Sequence, residues 1–106
     1  MSGKTEIPAE LRVLGRVYRV YTGRCDDDLR PSWGRVSHAD LTIDIRGDLA
    51  PANQAEALFH ELWHCLDHIL RGAESLDEPD VHVLANGLYA ALKQNRGLAE
   101  WILDGA

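Results

Sequence analysis

No apolar stretch in the sequence approaches the ~20 residues of a membrane span, and the N-terminus has no apolar signal-peptide core. The expectation is a cytoplasmic protein with no membrane partner. Cysteine is scarce: only Cys25 and Cys65 are present, far apart and in no CxxC pair. That rules out a disulfide framework, and a reducing compartment keeps both as thiols. Cys65 reads as a small apolar packing residue. Positive charge is also in short supply, with 11 Lys and Arg against 17 Asp and Glu and a net charge of −6. A general nucleic-acid or membrane-surface binder needs a basic patch, and a DNA-binding regulator needs a basic recognition helix; neither is seen. The acidic run Asp26, Asp27 and Asp28 lacks the ligand spacing and glycine turn of a calcium loop, so it reads as a solvated loop. There are no repeats, linkers or low-complexity segments.

What is present is an ordinary 45% apolar content over 106 residues, enough for one domain spanning residues 1–106 with a modest core. Residues 1–10 read as a loose polar start. Val17 to Thr22 alternates in strand fashion. The following segment to Gly34 carries glycine, charge and a proline, and reads as a loop. Arg35 to Ile45 holds two strand-like runs around a turn at His38, Ala39 and Asp40. Within it Leu41, Ile43 and Ile45 alternate with Thr42 and Asp44, which predicts one buried and one wet face. The hairpin and Val17 to Thr22 predict a small three-stranded antiparallel sheet. From Pro51 the apolar period becomes helical through Leu70, with Pro51 suited to the first turn and Gly72 to the end. Pro79 opens a second helix, with Asp77 or Glu78 near its cap and Gly97 at its end. A short final helix or turn follows. Strands first and helices after predict an α+β layer structure.

Residues 60–64 read HELWH. Positions four apart on a helix lie about 40° apart around its axis, so His60 and His64 can hold one ion between them. Zinc accepts neutral imidazole nitrogens at ~2.0–2.1 Å. Glu61 lies beside the ion, where its carboxylate can take a proton from an activated water and pass it to a leaving amine. The alternative is three ordinary residues on a helix surface. The mid-helix position, inside the expected apolar pattern, favours a metal site.

A catalytic zinc usually takes three protein ligands. His82, on the first turn of the second helix, Glu78, just before it, and Asp67, seven residues after His60, compete for the third place. Ligands drawn from one straight helix cannot readily surround a tetrahedral ion. Asp67 therefore reads as a partner that orients a ligand histidine, against the alternative of a surface carboxylate. His68 is rotated off the line and reads as no ligand. His38 reads as a solvated turn residue. Tyr89, two turns after His82, is a candidate oxyanion donor, against the commoner role of half-buried packing. Trp63 reads as core or cleft wall, and Trp33 and Trp101 carry no functional signal.

The segments LFHELWHCLDHIL and EPDVHVLANGLYAALKQN together resemble small phage- and prophage-encoded proteins of the ImmA/IrrE-type metallopeptidase group. The likeness extends upstream to GRVSHADLTIDIRGDL and covers roughly residues 11–96. The resemblance implies a minimal zincin: a small sheet, an active-site helix and a ligand-bearing helix. It also implies a third ligand shortly before an Ala-Asn pair, where glutamate is usual. The matching position, before Ala85 and Asn86, is His82, so this chain departs from the pattern. Histidine binds zinc equally well, and Glu78, one turn earlier, is the other candidate. The expected function is that of a zinc-dependent endopeptidase with His60, His64 and His82 as ligands and Glu61 as general base and acid. Its peptide or protein substrate would lie along the sheet edge at Arg35 to Asp40. The competing expectation is a non-catalytic, metal-stabilised phage accessory protein that binds a host or phage regulator.

Overall fold

The computed structural model describes residues 6–72 and 75–105. Its elements in chain order are β1 (Glu10–Val13), β2 (Arg16–Thr22), α1 (Asp26–Leu29), β3 (Gly34–Ser37), β4 (Thr42–Ile45), α2 (Pro51–Arg71), α3 (Glu78–Gln94) and α4 (Arg96–Asp104). The class is α+β, but the sheet differs from the expected three antiparallel strands. It has four strands in the order β1-β2-β4-β3. β1 and β2 are antiparallel, β2 and β4 parallel, and β3 and β4 antiparallel.

Two local causes account for the difference. Of the expected loose start, residues 1–5 lie outside the described residues, and Glu10 already opens a strand. β1 joins β2 through Leu14 and Gly15, whose φ angles are 49° and 88°. Two consecutive positive φ values are those of a type I′ hairpin turn, which Asn-Gly signals far more clearly than Leu-Gly does. The chain then passes through α1 to the outer edge, lays down β3, and returns so that β4 runs inside it. β4 therefore meets β2 in parallel, with Val20 opposite Ile43.

Strand alternation puts Tyr18, Val20, Ile43 and Ile45 into the core with Cys65 of α2. Asp44, expected on a wet face, is instead only 5% exposed. Its charge is offset by Arg24, whose Nε and Nη2 donate to the two carboxylate oxygens at 2.6 and 3.1 Å. These hydrogen bonds hold the Asp44 carboxyl below the usual carboxylate range. The acidic run forms the single turn of α1, which buries Leu29, and Asp26 accepts a hydrogen bond from the Gly47 amide at 3.0 Å.

The two long helices begin and end on chemistry visible in the chain. Pro51 stands in the first turn of α2, and Gly72 closes it with φ 78°, its backbone N–H donating to the His68 carbonyl. Asp77 caps α3, accepting from the Asp80 amide at 3.0 Å. α3 stops at Gln94, so Gly97, expected at its end, falls inside α4. The apolar stripe of α2 lies on the sheet, and another side of α2 packs against α3. Among the described residues, no helix is long and apolar enough to cross a membrane.

Candidate metal centre

His60 and His64 lie on the side of α2 that faces the start of α3. Glu78 is the first residue of α3, where a carboxylate is favoured by the helix dipole. The His60 Nε2 and His64 Nε2 atoms stand 3.2 Å apart. The Glu78 carboxylate reaches both, with Oε2 2.8 Å from His60 Nε2 and Oε1 2.9 Å from His64 Nε2. Ligand atoms of His60, His64 and Glu78 all lie within 4.8 Å of one another. Donors bound at ~2.0–2.1 Å to a tetrahedral ion stand roughly 3.3 Å apart, so this spacing fits one small cation. Two imidazole nitrogens and a carboxylate oxygen are also a donor set that zinc takes.

Burial pushes the His60 imidazole below its ordinary pKa, while the Glu78 carboxylate pulls the other way. The net effect favours the neutral ring, the form with a lone pair to give. His64 is more enclosed, at 7% exposure, and Glu61 is enclosed further, at 5%. The Glu61 side chain turns toward β3. A Cβ placed on Gly34 would stand 3.5 Å from Glu61 Oε2. His60, Glu61 and Glu78 share a cavity of about 290 Å³ with Glu56, Trp33 and His82.

His82 is not a member of the His60–His64–Glu78 group. It lies one turn beyond Glu78, exposed on the cavity wall, with Nε2 3.0 Å from Asn86 Nδ2. Tyr89 packs its ring on Phe59 at a centroid distance of 5.9 Å and does not line the cavity.

Asp67 is buried, but its carboxylate is engaged away from His60 and His64. It accepts from the Ser75 amide at 2.5 Å, the Ser75 hydroxyl at 2.9 Å and the Leu76 amide at 2.8 Å. These donors hold its carboxyl below the usual range, the Leu76 amide most strongly. Asp67 thus fastens the connector two residues before Glu78. Donors on that connector could not be foreseen from helical spacing.

The remaining histidines pair with each other. His38 and His68 stack with ring centroids 3.9 Å apart and planes 3° apart. The buried Tyr18 hydroxyl bonds His38 Nδ1 at 3.2 Å. His38 is therefore half-buried rather than a solvated turn residue, because the turn after β3 folds back over α2. Neither ring joins the metal group.

Glu56 and Trp33 received no functional reading from the sequence. Glu56 precedes His60 by one turn, which was the signal available. Trp33 reaches the cavity only because β3 takes the sheet edge beside α2.

No family model matches this chain, and no curated protein or solved structure matches it either. What stands on geometry is a two-histidine, one-glutamate group able to hold a metal ion.

Proposed function

We propose that this protein is a zinc-dependent hydrolase of the HExxH metallopeptidase kind, acting as an endopeptidase. The observation that carries the reading is the convergence of His60 Nε2, His64 Nε2 and the Glu78 carboxylate within 4.8 Å, with Glu61 next in sequence and on the same cavity. A zinc held there would supply Lewis acidity able to lower the pKa of a water to roughly 7. His60, His64 and Glu78 hold the ion in this reading. Glu61 accepts the proton that the attacking water loses as its oxygen bonds to the carbonyl carbon. It then gives that proton to the amide nitrogen as the C–N bond breaks, so two products form and Glu61 is restored. The shielding of Glu61 suits such a role, since a group screened from bulk water exchanges its proton with the reacting atoms. β3 lies at an edge of the sheet, and residues leading into it line the cavity, which supports an extended peptide laid alongside. His82 is the second reading for the third ligand, because its ring lines the same cavity.

The resemblance to the ImmA/IrrE-type group and a phage or prophage origin belong to this proposal. A non-catalytic reading keeps the same metal as a brace and binds a host or phage regulator. It draws support from α4, where Leu98, Trp101 and Ile102 are 43%, 62% and 53% exposed.

Glu61→Gln separates the two readings. Zinc-loaded wild-type protein is expected to cleave members of an internally quenched peptide library. Glu61→Gln should keep its zinc and lose turnover by about 100-fold or more. Equal turnover by the variant, or no cleavage by zinc-loaded wild type, contradicts the hydrolase reading.

A further inference from the structure

We propose that the cavity beside the metal group contains a subsite for a cationic side chain, lysine or arginine, with Glu56 as its anionic partner and Trp33 as its wall. The proposal rests on the hydrolase reading for its place in a substrate, but not for its chemistry.

Among the described residues, three carboxylates line this cavity, Glu56, Glu61 and Glu78, and no lysine or arginine does. A divalent ion held by His60, His64 and Glu78 brings two positive charges. Those offset Glu78 and the adjacent Glu61. Among the described residues, Glu56 is then the one negative charge of the cavity with nothing opposite it. It is half-buried, and among the described residues no hydrogen bond or ion pair engages its carboxylate. The ordinary alternative is a solvated carboxylate on a helix surface. Such a residue faces open water, whereas the half-buried Glu56 shares a cavity wall with His60, Glu61 and Glu78.

Position fits the same ligand. Glu56 stands four residues before His60, about 6 Å along the helix and on nearly the same face. An extended lysine or arginine side chain spans that distance when its backbone lies near the ion. Trp33, 39% exposed, lines the cavity with Glu56. An indole contributes both an apolar wall for the methylene stem and a favourable surface for the charge. An anionic side chain would instead meet like charge from Glu56 and is selected against.

The probes are the N-methylamides of acetyl-lysine, acetyl-arginine, acetyl-norleucine and acetyl-glutamate, titrated by NMR into the zinc-loaded full chain. The same spectra report whether the probes stay intact. Lysine and arginine probes are expected to bind about tenfold more tightly than norleucine, with glutamate weakest. Glu56→Gln should abolish that advantage while zinc content and Tm stay at wild-type values. Equal binding of lysine and norleucine overturns the proposal. So does an advantage that survives Glu56→Gln, or no binding of the lysine probe at all. A cation preference that depends on Glu56, in a protein that cleaves no peptide, leaves the subsite standing and removes only the hydrolase reading.

Discussion

Asp67 shows how one buried charge can act on a site it does not touch. Its carboxylate takes three hydrogen bonds from Ser75 and Leu76, directly ahead of the residue that supplies the carboxylate between His60 and His64. Asp67→Asn exchanges an acceptor for a donor at a place that offers only donors. We expect zinc affinity to fall about tenfold, as for other residues that orient a ligand, with Glu61 chemistry otherwise intact. Direct zinc titration checks this, and unchanged affinity contradicts it. The pH dependence has a definite sign. The folded-state pKa of Asp67 lies below that of the unfolded chain, so its stabilisation is present above the usual carboxylate range. It is lost as pH falls through the folded value. The stability gap between wild type and Asp67→Asn should therefore close in acid and be widest near neutrality. Asp44 beside Arg24 follows the same rule.

The meeting of β3, β4 and α2 depends on one missing side chain. A Cβ on Gly34 would come to 2.9 Å from the Asp44 carbonyl oxygen and 2.9 Å from Ile45 Cδ1. The first contact is backbone and cannot swing aside. Gly34→Ala should cost about 1–3 kcal/mol in chemical denaturation, as overpacking does, while zinc content is kept. Stability equal to wild type contradicts this close approach. The elements differ in how openly the chain announces them. α2 and α3 carry long apolar periods, a proline at each start, and Gly72 or Asp77 at a cap, so both were readable with their ends close to place. β1 is four residues long and turns on Leu14-Gly15, which offered no such sign. The parallel pairing of β2 with β4 was hidden for a different reason. It depends on where the connection through α1 and β3 goes, and no local pattern encodes that route. The turn at His38, Ala39 and Asp40, by contrast, was legible, and the antiparallel β3–β4 pair forms around it, although Leu41, read as strand, belongs to the turn with φ 55°.

At the scale of the molecule, the candidate site joins what is local to what is not. His60, Glu61 and His64 share one helix, so their relation follows from helical spacing and was visible in five residues. The third ligand depends on how α3 is delivered to α2, which Asp67 and the connector govern. That is why spacing alone left Asp67, Glu78 and His82 open, while the folded chain brings Glu78 to both histidines. Glu56 and Trp33 entered only when sheet edge and helix were set side by side. A metal held by His60, His64 and Glu78 would be seen in the zinc retained per chain after dialysis. We expect about one zinc for wild type, near-complete loss for His60→Ala, His64→Ala and Glu78→Ala, and retention by His82→Ala. No zinc on wild type, or full retention by Glu78→Ala with loss by His82→Ala, would contradict it.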